Sequence, residues 1–276
     1  LKIPRSQGHG SSILPPGTKK KKSKSLARFA RRRICIQFWG KDFFLIIFNH
    51  MFDFNKATEN IGGWLTEAEG FFLYKVAEKI KNGNVIVEVG SWKGKSTICL
   101  GNGSKDGNKV KIFAIDPHIG SSEHQKMFGE VDTFEEFKQN INKAGIAEYI
   151  EPIRDASENA AKTFNQKIEF VFIDGAHEYN FVKRDFESWF PKVMSGGFLA
   201  FHDSWHFIGP NLATAIPLIT SSKIKNPHLV DTITYFEKVE RNSLFDRLKN
   251  IGFVVYRTLF GIRGFLRLKY QGSKII

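Results

Sequence analysis

Four short apolar runs constrain what this chain can fold into more than any other feature of its sequence. They lie at 85–89, 111–115, 168–173 and 197–201, and each is rich in β-branched or aromatic residues. Such runs are typical of strands buried on both faces of a parallel sheet. Segments with helical spacing lie between them, and strands that alternate with helices predict an α/β fold. We expect a doubly wound, mostly parallel Rossmann-like sheet with helices on both faces.

The first regular element is predicted ahead of these strands. Thr66 and Glu69 have the spacing of a capping box, and the apolar residues that follow recur at helical intervals. The pattern predicts a helix from about 66 to 81, ended by the break at 82–84. Further helices are predicted at 96–100, 133–144 and 180–190.

Positive charge is concentrated at the two ends of the chain. Of the formal net charge of +13, residues 1–45 contribute +11, residues 46–222 contribute −5 and residues 223–276 contribute +7. The start is also rich in Gly, Ser and Pro, a composition that buries little apolar surface. We predict a disordered basic arm at 1–25, a basic and aromatic extension at 26–60, a folded domain at 61–222 and a basic amphipathic extension at 223–276.

The basic ends indicate a partner with negative charge. They fit an anionic membrane surface, because the extension at 223–276 mixes Lys and Arg with Phe and Leu. Solvated tails, or packing on the domain or on a second copy of the chain, fit the same composition. No apolar run reaches the ~18–20 residues of a spanning helix, and Cys35 and Cys99 form no disulfide framework. We expect a cytoplasmic protein, with a peripheral position at a membrane.

A turn that carries two glycines follows the first strand. Gly90 and Gly94 permit a tight turn and a close approach of a ligand, and the next helix offers amide donors to a carboxylate. Trp92 stands where the dinucleotide-binding fingerprint requires a glycine. Glu88, just before the turn, suits a ligand with a positively charged group, such as the ammonium of an amino-acid moiety.

The next strand ends carry further groups for such a ligand. Asp116 follows the second strand, where an acid can reach the ribose hydroxyls of an adenosine-containing ligand. The alternative is a loop acid that caps its neighbours. Residues 154–157 follow the short apolar stretch 149–153 and are placed to contact an adenine.

Acids and histidines follow the fourth and fifth strands. Asp174 and His177 follow the fourth, and His202, Asp203 and His206 follow the fifth, so a parallel order brings them to one rim. Two carboxylates with imidazoles and water can hold a hard divalent ion such as Mg²⁺. In the alternative, Asp174 caps the next helix and His202 packs in the core.

Taken in order, these motifs resemble class I S-adenosylmethionine-dependent methyltransferases of the methyltransferase-24 type. That group is related to metal-dependent O-methyltransferases of small hydroxylated compounds and sugars. The resemblance covers roughly residues 62–207. It rests on GWLTEAE at 63–69, VEVGSWKGKST at 87–97, IDPH at 115–118, FIDGAHEY at 172–179 and GGFLAFHD at 196–203.

The resemblance implies a cofactor and a role for each predicted site residue. S-adenosylmethionine would have its methionine part surrounded by Glu88, Gly90, Ser91 and Gly94, its ribose held by Asp116 and its adenine flanked by Asp155 and Ala156. Asp174 and Asp203 would hold a divalent cation, Mg²⁺. His202 is the third candidate ligand, and it stands where some relatives have a carboxylate or amide. His177 is the candidate base beside Asp174.

The expected activity is therefore methyl transfer to a hydroxyl of a small molecule, sugar or glycan, assisted by a divalent metal. One alternative is an RNA methyltransferase that grips its substrate with the basic ends, although the acidic 46–222 region argues against nucleic acid. The other is a binding or scaffold protein on the same fold, because fold alone does not establish activity.

Overall fold

The computed structural model describes residues 52–121, 125 and 129–272, with side chains up to Leu259. The basic arm predicted at 1–25 and most of the extension predicted at 26–60 lie outside these residues. In chain order the elements are α1 (Phe54–Ala57), α2 (Glu67–Lys79), β1 (Val85–Val89), α3 (Lys95–Asp106), β2 (Ile112–Ile115), α4 (Phe134–Lys143), β3 (Ile150–Ile153), α5 (Ser157–Thr163), β4 (Ile168–Ile173), α6 (Tyr179–Trp189), β5 (Val193–Phe201), α7 (Ile208–Thr220), β6 (Ile224–Val230), β7 (Ile233–Lys238) and α8 (Leu244–Gly272).

The strands form one seven-stranded sheet in the order β3-β2-β1-β4-β5-β7-β6. Strands β1 to β5 pair in parallel, and β7 joins β5 and β6 in antiparallel fashion. The predicted doubly wound sheet is confirmed. Strand order reverses between β1 and β4, and ligands bind at such a switch point, beyond the carboxyl ends of the strands.

A hydrophobic core covers each face of the sheet. Side chains alternate between the faces along a strand, so Ile86 packs with Phe72 and Ile98 on one side. Val87 packs with Val171 and Trp189 on the other side. All five residues of β1 are buried, as expected for a central parallel strand.

Helix α2 begins as the sequence predicts. The Thr66 hydroxyl accepts the amide of Glu69 at 3.2 Å, and the Glu69 carboxylate accepts the amide of Thr66 at 2.9 Å. This reciprocal pair is a capping box, and it fixes Glu69 at the first turn of the helix.

Helix α3 runs well past its predicted end at 100. Gly101 and Gly103 weaken the helical pattern of the sequence, but tertiary contacts require them. A Cβ at Gly101 would lie 2.4 Å from a side-chain carbon of Ile146, and one at Gly103 would lie 2.1 Å from the carbonyl oxygen of Tyr74. The glycines therefore allow α3 to pack closely on Ile146 and on α2.

The predicted extension from residue 223 contributes two strands to the sheet. Strands β6 and β7 form an antiparallel hairpin at its edge. Four residues inside β6 are only half-buried and one is exposed, so the strand has no continuous apolar run to reveal it. The last helix, α8, follows this hairpin. No helix in the described part of the chain is long and apolar enough to cross a membrane.

Candidate active site

The carboxyl ends of β1, β4 and β5 open onto one cavity of about 720 Å³. Sites that take small molecules and cofactors commonly measure ~300–1,000 Å³. Gly90 and Ser91 line it after β1, Asp174 and His177 after β4, and His202 and Asp203 at the end of β5. The segment before α2 and the turn between β6 and β7 complete its wall.

The turn after β1 depends on its glycines. Gly90 has a φ of 87°, and a Cβ there would lie 2.2 Å from the carbonyl oxygen of Asp174. Gly94 has a φ of 90° and precedes α3, and in the described residues no side chain caps that helix start. The first turn of α3 also carries no acid, so its amides and the positive end of the helix dipole favour an anionic ligand group.

Two polar side chains at the turn after β1 each have a buried oxygen without a hydrogen-bond partner within the described residues. The Ser91 hydroxyl is buried, lines the cavity and has no hydrogen-bond partner there. Glu88 lies fully buried behind the turn, where its Oε2 accepts the hydroxyl of Thr97 at 2.5 Å and its Oε1 has no partner. Burial raises the pKa of Glu88 to about 8.

Asp116 ties the turn after β1 to the turn after β2. One carboxylate oxygen accepts the amide of Trp92 at 2.7 Å, and the other accepts the amide of His118 at 2.6 Å. His118 is buried, and its Nδ1 lies 3.0 Å from the Thr133 hydroxyl. Burial lowers the pKa of His118, which favours the neutral form of its ring.

Three residues that follow strand ends have left-handed backbones although none is glycine. They are Trp92 (φ 47°), His118 (φ 59°) and Asp203 (φ 51°). Such conformations cost on the order of 1 kcal/mol or more and concentrate at functional sites. Their common place at the rim marks this end of the sheet as a site.

His202 is surrounded by three carboxylates. Its Nδ1 lies 3.0 Å from Oδ1 of Asp174 and 3.3 Å from Oδ2 of Asp203. Its Nε2 lies 3.4 Å from Oε2 of Glu69. Both His202 and Glu69 are buried, so this cluster forms the floor of the cavity.

The charges of this floor depend on one another. Burial alone would lower the pKa of His202, but the charge of Asp174 and hydrogen bonds to the three acids raise it far above its usual range. Burial opposes ionisation of Glu69, yet the bond and charge of His202 bring its pKa down to about 2. The pKa of Asp203 is also lowered despite burial, through hydrogen bonds from His177 and His202. Burial raises the pKa of Asp174.

Two further histidines lie against Asp203 at the mouth. Nε2 of His177 lies 3.4 Å from Oδ2 of Asp203, and Nδ1 of His206 lies 3.4 Å from its Oδ1. The ring of His177 stacks on Phe207, with 4.0 Å between centroids. Asp203 thus holds several imidazoles at once.

Residues 87–204 match the family model described as a methyltransferase domain. This part of the chain is a methyltransferase domain. A relative, the protein y4gI of Sinorhizobium fredii, is 29% identical over 129 residues, which are 43% of this chain and 13% of that protein. The chain therefore spans a small fraction of this curated relative.

Solved structures share the fold of the methyltransferase domain. The O-methyltransferase NovP has a TM-score of 0.53 at 15% identity, over 61% of this chain and 78% of that one. A protein from Corynebacterium glutamicum has a TM-score of 0.52 at 16% identity, over 68% of this chain and 90% of that one. At these identities the likeness is one of fold.

The cavity of the methyltransferase domain is lined by some of the predicted site residues and not by others. Gly90, Ser91, Asp174, His177, His202 and Asp203 line it, whereas Glu88, Gly94, Asp116, Asp155 and Ala156 are not among its lining residues. Asp155 and Ala156 are exposed beyond β3, where Asp155 Oδ1 accepts the amide of Ala156 at 2.6 Å. Their predicted contact with adenine, and that of Glu88 with an ammonium, remain predictions.

The residues predicted to hold a metal ion contact one another instead. Asp174 and Asp203 both direct an oxygen to Nδ1 of His202, which leaves that nitrogen no lone pair for an ion while it donates to them. Within the described residues, no group of three or more His, Cys, Asp or Glu side chains is arranged to hold a metal. In this arrangement His202 does not fit as a metal ligand, and a cation on Asp174 and Asp203 stays a prediction.

The sequence analysis predicts no role at the site for two residues at the floor of the cavity, Glu69 and Thr232. The sequence places Glu69 in a capping box and in the motif at 63–69 but predicts no role for it at the site, yet its Oε1 accepts the amide and hydroxyl of Thr232, at 2.9 and 2.6 Å. Thr232 lies in the turn between β6 and β7, which the sequence did not predict. The sequence offers one signal for Glu69: it is an acid on the apolar face of α2, where it would be buried.

Proposed function

We propose that this chain transfers a methyl group from S-adenosylmethionine to a hydroxyl of a small molecule, sugar or glycan. One observation carries the proposal. A single cavity at the switch point of a methyltransferase domain joins the glycine turn after β1 to the acids and histidines after β4 and β5. A cofactor and a hydroxylated acceptor can therefore meet there.

The residues after β1 and β2 fit this cofactor. The uncapped start of α3 suits the methionine carboxylate, and the buried Ser91 hydroxyl offers a polar contact to the same moiety. Asp116 retains a second acceptor site on each oxygen for the ribose hydroxyls. When bound, the cofactor supplies an electrophilic methyl group on a sulfonium.

His177 is suited to accept the proton of the acceptor hydroxyl. A neutral His177 that donates Nε2–H to Asp203 has its basic lone pair on Nδ1. The stacked ring of Phe207 and the anionic Asp203 hold the imidazole in place and stabilise its charged form. Asp174, held by His202, can accept a hydrogen bond from the acceptor. These groups align the reactants for an in-line displacement.

Divalent-metal assistance stays a prediction from the sequence. An ion would have to bind the carboxylate oxygens of Asp174 and Asp203 that are not directed to Nδ1 of His202. We therefore derive no step through a metal and assign the alignment of the acceptor to protein groups.

Calorimetry with S-adenosylhomocysteine tests the cofactor part of the proposal. We expect wild type to bind, and Asp116→Asn to bind roughly tenfold more weakly, because the ribose loses a charge-assisted hydrogen bond. Glu151→Ala, which removes an exposed acid from β3, serves as the control and should bind like wild type. Absence of binding at millimolar ligand would overturn the proposal in favour of a scaffold protein.

A further inference from the structure

Helix α8 buries one polar face against the domain. Asn250 and Arg257, two turns apart on that face, are fully buried. Arg257 donates to the hydroxyls of Thr214 and Thr234 at 2.6 and 3.0 Å, and to the carbonyl of Asn211 at 3.0 Å. These bonds join α8 to α7 and β7, and they fix which face of α8 turns outward.

The outward face of α8 is apolar. Leu244, Leu248, Val255 and Leu259 recur at helical spacing opposite Asn250 and Arg257, and they are 73%, 59%, 55% and 61% exposed. A helix that only packs on its own domain carries polar residues on this face. The apolar row therefore indicates contact with something outside the domain.

Helix α7, which packs beside α8, carries a similar row. Ile208 is 81% exposed, and Leu212, Ile216 and Ile219 are each 43% exposed. We call the two rows together the α7–α8 surface. Exposed apolar residues grouped on two neighbouring helices mark an interaction site rather than the scattered apolar residues of an ordinary surface.

The charge of this region is strongly positive. Arg247 and Lys249 are exposed on α8. From Arg247 to residue 276 the sequence contains seven Lys and Arg residues and no Asp or Glu. Apolar rows combined with an excess of basic residues are complementary to an anionic lipid surface.

We propose that the α7–α8 surface docks on an anionic lipid bilayer, with its apolar rows in the interface and its basic residues among the headgroups. A second copy of the chain is a poorer occupant, because symmetric packing would bring basic segments without acids close together. The row on α7 starts next to Phe207, which lines the cavity, so docking would hold the mouth of the site near the bilayer. This inference does not rest on the proposed activity.

Co-sedimentation of the full chain with vesicles tests the docking. We expect wild type to pellet with vesicles that contain phosphatidylglycerol, to pellet little with pure phosphatidylcholine, and to be released as salt is raised. The triple variant Leu248→Ser, Val255→Ser, Leu259→Ser should partition roughly tenfold more weakly. Phe181→Ser on α6, where Phe181 is 49% exposed, is the matched control and should pellet like wild type.

Three outcomes would overturn the proposal. The first is that wild type fails to pellet with anionic vesicles, and the second is that the triple variant pellets as well as wild type. The third is that light scattering shows a dimer of the wild type and a monomer of the triple variant, while neither protein binds vesicles. The occupant of the surface would then be a second copy of the chain. Thermal unfolding of the same samples shows that each variant is folded, and binding of S-adenosylhomocysteine tests the proposed activity separately.

Discussion

Nδ1 of His202 lies 3.0 Å from Oδ1 of Asp174, where the carboxyl ends of β5 and β4 adjoin. The same imidazole contacts Asp203 and Glu69, so one buried ring balances acids from α2, β4 and β5. Charge interactions between His202 and these acids thus stabilise the floor of the cavity.

Replacing His202 should destabilise the protein. His202→Ala leaves three carboxylates close together without their shared partner, and we expect the free energy of unfolding to fall by about 2–4 kcal/mol. His206→Ala removes an exposed ring with one 3.4 Å contact to Asp203, and it should change stability by less than about 0.5 kcal/mol. Urea denaturation measures both. Equal effects of the two substitutions would contradict a structural role for His202.

Glu88 should make stability fall as pH rises. Its folded pKa of about 8 is above the ordinary value of 4.5, so its contribution is fully present below 4.5 and is lost as pH rises to about 8. The neutral Glu88→Gln protein should show a smaller loss across this window, by on the order of a few kcal/mol. Denaturation at a series of pH values compares the two proteins. Parallel curves would show that Glu88 is ionised in the folded state.

Gly90 should tolerate substitution far less than Gly83. Both have positive φ, 87° and 83°, but only at Gly90 would a Cβ meet backbone, whereas at Gly83 nothing lies within 4 Å. Gly83→Ala should cost about 1 kcal/mol from backbone strain alone. Gly90→Ala should cost more and should weaken binding of S-adenosylhomocysteine. Similar thermal unfolding and binding of the two variants would refute the close approach at Gly90.

Removal of metal should leave the cofactor site intact. Because Asp174 and Asp203 each direct one oxygen to Nδ1 of His202 and the proposed step uses protein groups alone, we expect chelator to leave the affinity for S-adenosylhomocysteine unchanged and turnover within about twofold. Turnover that a chelator abolishes and Mg²⁺ restores would instead support the metal predicted from the sequence.

The sequence predicted those parts of the molecule that depend on local pattern. Buried strands such as β1 and β4 have continuous apolar runs, and the turn at Gly90 and Gly94 has its own spacing, so both could be placed without a structure. The sequence predicts α3 only to residue 100, because Gly101 and Gly103 weaken the local helical pattern. In the structure these glycines allow close packing on Ile146 and on α2.

The floor of the cavity was predicted in part. Asp174, His202 and Asp203 of the floor, and His177 at the mouth, follow strands, and parallel order brings strand ends together. Glu69 and Thr232 are 163 residues apart in sequence and meet only through the β6–β7 hairpin, which has no continuous apolar run. Tertiary packing decides which atoms pair and places His202 between the acids. The spacing of apolar residues in the sequence carries no information on either point.

A crystal structure of the complex with S-adenosylhomocysteine tests the central claim most directly. The account predicts the homocysteine carboxylate at the start of α3 beside Ser91, the ribose on Asp116, and the sulfur directed toward the part of the cavity that His177 lines. An empty cavity at saturating ligand, or ligand bound with its sulfur away from His177, would contradict it.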